Sequence, residues 1–306
     1  MRKNVFLLLV FITGQLAFSQ GIKVISNEEI PLPSSEMGYN PVLSPSGDYL
    51  LITGGDLKGL SKFDFATRQM QTITTDKGAG FDAQISDDGN TVVYRSQEYV
   101  NRLRYTSLKS INLTTGAQSE VLKATRNLEG FTIEGGTVLA VDNGKLKTLR
   151  LSGEKLKSIP AVPSVKQGQL YLTRSNKTNI LSPAGTKVSY LWASVSPDGE
   201  KMVYYVIEHG KAYVSNVDGS NAVSLGTLRA PKWMGNDWVI GMVDADNGEV
   251  LTASKIVAVA ANGKARTELT DSSVIATNPS VDAKATKVTY NTADGKVFLM
   301  KIETLK

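Results

Sequence analysis

The chain has 306 residues, with 34 Lys and Arg against 29 Asp and Glu, one histidine, no cysteine and a formal net charge of +5. Lacking cysteine, it forms no disulfide, no thiol nucleophile and no lipid anchor of the kind built on a cysteine next to a signal peptide, and one histidine cannot make an imidazole cluster for zinc or iron. The charges are interspersed and their excess is mild, so no nucleic-acid partner is indicated.

Arg2 and Lys3 precede an unbroken apolar run from Val5 to Ile12, and residues 13–19 turn polar with Ala17 and Ser19 at small-residue positions. That order of charge, apolar core and small residues predicts a secretory signal peptide cut after Ser19, and the apolar run is too short to cross a bilayer. The expected division is a signal peptide over 1–19 and one folded domain over 20–306. Losing Arg2 and Lys3 takes the net charge from +5 to +3. No later stretch approaches about eighteen consecutive apolar residues, so no transmembrane anchor is expected, and export points to the periplasm or the medium.

After residue 20 no helical period is sustained, and apolar residues alternate with polar ones as in half-buried strands. Ile22–Ile25 and Glu28–Ile30 read as a strand with no hairpin partner of its own. One short pattern then recurs: a small apolar strand, a Ser-Pro-Asp-Gly-like turn, and a run of strong β-formers. It appears at Val42–Ile52, Gln84–Tyr94 and Ser194–Tyr204. The turn glycine or its equivalent falls at Gly47, Gly89, Gly135 or Gly136, Gly168, Gly199, Gly235 and, degenerately, near Ala285, a period of about 40 residues that marks a repeat architecture.

A second hairpin follows each of the first six turns. It pairs 63–65 with 70–73, 111–113 with 119–122, 149–151 with 156–159, 179–181 with 188–191, 214–216 with 222–225, and 257–259 with 267–269, mostly across Gly-containing turns such as Asp218-Gly219 and Asn262-Gly263. Four strands per unit is the blade of a β-propeller. The expected fold is all-β, a propeller of seven four-stranded blades, with six as the alternative because 128–190 is short and its turns are eroded. The last unit is one strand short and the first strand is unpaired, so the two are expected to pair and close the ring.

The units at 40–76, 82–122, 192–225 and 277–302 resemble the repeats of TolB-type periplasmic propellers, through Asn40-Pro41, Ser44-Pro45-Ser46-Gly47, Ser86-Asp87-Asp88-Gly89, Ser196-Pro197-Asp198-Gly199 and Asn278-Pro279. The resemblance implies a non-enzymatic docking platform of the cell envelope with a protein partner. The α/β domain that precedes the TolB propeller has no counterpart in this sequence.

Chemistry-bearing residues are sparse. His209 sits in a turn, no Gly-x-Ser-x-Gly elbow occurs, and no catalytic residue, metal ligand or cofactor is assigned. Asp244–Glu249 superficially resembles a calcium loop, but its Gly falls fifth instead of sixth, so an Asp-Asn-Gly turn is the expected reading. Carboxylates at a propeller axis, with Asp82, Glu129 and Asp282 as candidates, would suit a carbohydrate-active hydrolase or lyase, the alternative function.

The most unusual segment is Tyr94–Tyr105, which lengthens one hairpin and carries three Arg and three Tyr. Both types are enriched at interface hot spots. The candidate binding residues are therefore Arg95, Tyr99, Arg102 and Arg104, with Asp82 and the tryptophans Trp192 and Trp233. Trp192, Trp233 and Trp238 are all suited to packing between blades, the reading preferred over a ligand platform. Nothing in the sequence demands an oligomer, so a monomer is the default expectation.

Overall fold

The structure is a computed structural model and describes residues 21–33, 36–175 and 177–305. The signal peptide expected over 1–19 lies outside these residues. The described chain is all β. Its first strand, β1 (Gly21–Glu29), pairs with the last. Blade 1 is β2 (Tyr39–Leu43), β3 (Tyr49–Thr53), β4 (Leu60–Asp64) and β5 (Met70–Thr74). Blade 2 is β6 (Gln84–Ile85), β7 (Thr91–Val100), β8 (Leu103–Asn112) and β9 (Gln118–Thr125). Blade 3 is β10 (Leu128–Glu134), β11 (Thr137–Asp142) and β12 (Lys145–Arg150), and blade 4 is β13 (Val162–Lys166), β14 (Gln169–Arg174) and β15 (Lys177–Leu181). Blade 5 is β16 (Tyr190–Val195), β17 (Lys201–Val206), β18 (Lys211–Asn216) and β19 (Val223–Gly226). Blade 6 is β20 (Arg229–Met234), β21 (Trp238–Asp246), β22 (Leu251–Ala260) and β23 (Arg266–Glu268). Blade 7 is β24 (Ala276–Val281), β25 (Lys287–Thr292), β26 (Val297–Leu305) and, as its outermost strand, β1.

Seven antiparallel sheets thus form the seven expected blades. What makes them a ring is where the apolar side chains go. Each blade buries both faces against its two neighbours, giving one core cluster per blade interface. Leu51 and Tyr94 belong to the cluster between blades 1 and 2. Leu108 and Phe131 join 2 to 3, Leu139 and Val162 join 3 to 4, and Leu170 and Tyr204 join 4 to 5. Val214 and Val239 join 5 to 6, and Ile240 and Met300 join 6 to 7. Val297 and Leu50 then join blade 7 back to blade 1. The closing strand runs antiparallel to β26 from Gly21↔Leu305 to Glu29↔Phe298, and Asn27 Nδ2 donates to the buried Tyr290 hydroxyl at 2.7 Å.

The recurring turn works through its serine. Ser86 Oγ accepts from Thr91 N at 2.9 Å and donates to Asp88 at 2.5 Å, and Ser196 does the same with Lys201 N and Asp198. Gly89 and Gly199 take positive φ of 73° and 77°. The degenerate seventh turn has the same shape with other residues: Asp282 replaces the serine, accepting from Thr286 N and Lys287 N at 2.7 and 2.8 Å, and Ala285 replaces the glycine at φ 54°.

The sequence expectation departs from the structure in blades 3 and 4. Residues 156–159 form no ladder with 149–151, and Tyr190 begins β16 instead of pairing with 179–181. The reason is tertiary. Leu156 packs inward against Leu139, Val141 and Val162, and the Tyr190 hydroxyl accepts from Ala184 N at 3.0 Å and donates to Gly185 O at 2.8 Å, holding 182–189 as a loop. Both blades show three ladder strands where four were expected.

Candidate functional site

In the five four-stranded blades the turns between first and second strands lie on one face, the lower. The turns between second and third strands, and the starts of the innermost strands, lie on the other. At each of those starts one residue adopts positive φ: Asn40 at 47°, Asp82 at 58°, Trp192 at 50°, Ala230 at 47° and Asn278 at 53°. The residue interrupts the ladder with a bulge, as between Tyr39 and Val42 or between Leu191 and Ser194, and such bulges re-aim side chains at sheet rims. Asp82 and Trp192 are thereby presented on the upper face.

From that face rises the hairpin β7–β8, which is longer than its own sheet. β6 joins β7 only at Val92 and Val93, and β9 joins β8 only from Thr106 onward. Within the hairpin, Arg95 stands opposite Leu108, Gln97 opposite Thr106 and Tyr99 opposite Arg104. Opposed residues share a face, so Arg95, Gln97, Tyr99, Arg104 and Thr106 form one side. All five line a cavity of about 660 Å³. Its other walls come from Asp56 to Lys58 between β3 and β4, from Lys77, Gly78 and Phe81 before β6, and from Thr125 to Leu128, where β9 passes into blade 3. Gln97 N donates to Lys77 O at 2.8 Å, fastening the hairpin to the 75–83 loop.

The cavity is strongly cationic, with Lys58, Lys77, Arg95, Arg104 and Arg126 against one lining acid, Asp56. Arg95 is bound at its base, Nη2 lying 3.3 Å from Asp82 Oδ2, and its guanidinium sits 5.4 Å from the Phe81 ring centre and 5.2 Å from that of Phe131. Its Nε is buried and meets no acceptor among the described residues. The other four cations form no ion pair among the described residues.

Asp82 keeps 45 % of its side-chain surface open to water and lies beside Arg95 on the upper face. Enclosure pushes its carboxyl up, against the pull of Arg95 and Lys232. Lys232, on β20, is enclosed too, and burial pushes its ammonium down while Asp82 opposes the shift.

The remaining sequence candidates fall elsewhere. Arg102 is at the hairpin tip, where Asn101 and Arg102 both have positive φ, 50° and 63°, as a two-residue type I′ turn requires. Trp192 lies 5.2 Å from Tyr205, under the Arg229 guanidinium at 5.9 Å, and Arg229 pairs with Asp244 at 3.0 Å. Trp233 donates from Nε1 to Ser194 O at 3.1 Å and packs between blades 5 and 6. Glu129 is held by Lys166 at 2.9 Å and by Gly144 N at 3.1 Å. Asp282 belongs to the lower face, where it organises the seventh turn, so it is not grouped with Asp82. His209 bonds Tyr213 at 2.9 Å in a surface turn, and the 244–249 loop is closed by Asn247 accepting from Glu249 N and Val250 N. A second cavity, about 530 Å³, lies on the lower face beside Lys201, Asn216, Asp237 and Leu305. Among the described residues no three His, Asp or Glu side chains converge to hold a metal ion, and no helix is long and apolar enough to cross a membrane.

Together these features define a seven-bladed TolB-like β-propeller. No family model and no curated protein matches the chain. Among solved structures it is similar to TolB from Acinetobacter baumannii, with a TM-score of 0.53 and 14 % identity over 81 % of this chain. The match covers 58 % of that TolB chain, so the likeness is one of fold and spans little more than half of the relative. An oligogalacturonate lyase in complex with manganese also matches, with a TM-score of 0.48 and 14 % identity, over 86 % of this chain and 76 % of that one.

Proposed function

We propose that the protein is an exported, non-catalytic binding module of the cell envelope, acting in the periplasm or the medium, whose upper face docks a protein partner. The observation that carries this reading is the raised β7–β8 hairpin. It turns Arg95, Tyr99 and Arg104 to one side, over a cavity built jointly by three blades. A rigid closed ring holds those loops in place before a partner arrives, so little ordering entropy is lost on binding. The TolB-type repeat motifs of the sequence support the same class of role.

The test is capture after crosslinking in intact envelopes, with wild type, Tyr99→Ala and, as a control on a different upper-face turn, Ile207→Ser. A partner recovered by wild type and the control but lost with Tyr99→Ala supports the reading. Equal recovery by all three, or none by wild type, refutes it.

One observation favours the enzymatic alternative. Desolvation moves the Asp82 carboxyl up and the Lys232 ammonium down, each opposed by the other's charge, and groups shifted in those directions are suited to exchanging protons with a substrate. Turnover of an acidic oligosaccharide that vanishes in Asp82→Asn would establish it; turnover untouched by that change would remove Asp82 as its catalyst.

A further inference from the structure

Three features of the upper cavity converge on one kind of ligand. The first is charge: Lys58, Lys77, Arg104 and Arg126 come from three separate loops and one hairpin, line one space, and have no carboxylate partner among the described residues. Unpaired cations around a shared hollow repel one another, and an anion placed there relieves the repulsion. The second is the enclosed Arg95, whose Nε lacks an acceptor while Nη2 is already occupied by Asp82. Nε itself is sealed from solvent, so what Arg95 offers a ligand is its charge, which adds to that of the four unpaired cations around the same hollow.

The third feature separates peptides from other anions. β9 pairs with β8 only as far as Thr106, so Leu103, Arg104 and Tyr105 present a strand edge that no strand among the described residues pairs with on that side. Such an edge takes another backbone by strand addition, which neither a glycan nor a nucleotide offers. A peptide strand added there would set every second side chain on the face that carries Arg104 and Tyr99, beside Arg126. Tyr99 and Phe81 are 61 % and 51 % exposed and offer apolar contact between the charges.

We propose that this cavity and the adjoining β8 edge bind an extended acidic peptide segment, with alternate carboxylates directed to Arg104, Arg126 and the lysines and its backbone added to Leu103–Tyr105. The inference rests on the docking reading above and names the chemistry of the partner.

The experiment is fluorescence anisotropy of a fluorescein-labelled octapeptide of alternating Glu and Leu, with the Gln/Leu and Lys/Leu versions as comparisons. Saturable binding of the Glu peptide is expected, weakened about tenfold or more by Arg104→Glu and again by Arg126→Glu, and strongly reduced near 0.5 M salt as surface charge is screened. Arg104 is exposed at the end of β8 and Arg126 in the loop after β9, and unchanged thermal unfolding of the variants confirms that they fold. N-methylation of alternate leucines should abolish binding; unaltered affinity would overturn the strand-addition part. Equal affinity for the Gln/Leu peptide, or tighter binding of an acidic oligosaccharide competing for the same site, would overturn the acidic-peptide assignment. Envelope capture that depends on Tyr99 with no binding of the Glu peptide refutes only the ligand chemistry. Loss of both refutes the docking reading as well.

Discussion

Arg95 reaches Asp82 through Nη2 at 3.3 Å while its Nε remains sealed and unpaired. Asp82 is therefore both the counter-charge of the cavity's most enclosed cation and a competitor for any incoming anion. Replacing Asp82 by Asn should free the guanidinium and tighten binding of the Glu/Leu peptide severalfold. Weakened binding would instead mean that Asp82 itself touches the ligand. Stability should respond with the opposite pH sense from an ordinary carboxylate. Enclosure raises the folded pKa of Asp82 above its usual 3.8, so holding its charge costs the native state more as pH rises through that raised value. Denaturant unfolding at stepped pH should show wild type losing ground to Asp82→Asn as pH rises, and parallel curves would refute the shift.

Ala285 occupies the position that Gly47, Gly89 and Gly199 hold in other blades, with φ 54° against their 68°, 73° and 77°. A Cβ in the left-handed region costs about 1–2 kcal/mol, partly offset by the greater freedom of glycine in the unfolded chain. Ala285→Gly should therefore stabilise the ring by about 0.5–1 kcal/mol in chemical denaturation, and destabilisation would show that the turn is not strained. Arg102, at φ 63° in the hairpin tip, poses the same question beside the proposed site. Arg102→Gly should also stabilise.

How much of this was legible in the sequence depends on how local each feature is. The turns at Gly47, Gly89 and Gly199 could be read because serine, acid and glycine all act within five residues. The seventh could be placed only by its period, since Asp282 and Ala285 stand in for the serine and glycine, and Asp282 consequently looked like a free acid. The missing strands of blades 3 and 4 were misread because 149–159 resembles a hairpin until Leu156 is seen to turn inward. Arg95, Tyr99 and Arg104 were visible as an odd insertion, and period-two alternation puts them on one face. Lys58, Lys77, Phe81 and Arg126 join them only through the ring. No local pattern announces such contacts, because the repeat that builds the ring says nothing about which of its loops meet.

The Ser-Asp turns should give the fold a defined acid sensitivity. The Ser86 hydroxyl and Asn90 N hold the Asp88 carboxyl below its ordinary 3.8, and the Ser196 hydroxyl and Glu200 N do so for Asp198. A depressed folded value means that the stabilisation is fully present above about pH 4 and is lost as pH falls through the folded values. Both side chains are largely solvated, so each contributes on the order of a few tenths of a kcal/mol. Asp88→Asn with Asp198→Asn should therefore lose less stability than wild type between neutral pH and about pH 3. Identical losses would place the acid-sensitive groups elsewhere.

The ring's closure can be tested within one strand. In β1, Ile22 is buried in the cluster joining blades 6 and 7, whereas Ile25 falls at the bulge between Val24 and Ser26 and is 53 % exposed. If β1 is the outer strand of blade 7, Ile22→Ala removes core packing and should cost about 2–4 kcal/mol, while Ile25→Ala should stay within about 0.5 kcal/mol. Weakening the clasp also uncovers the edge of β26, an open template for strand pairing with another molecule. Ile22→Ala should thus show, beyond its lower unfolding midpoint, concentration-dependent self-association by light scattering, which Ile25→Ala lacks. Equal behaviour of the two variants would mean that β1 does not close the propeller.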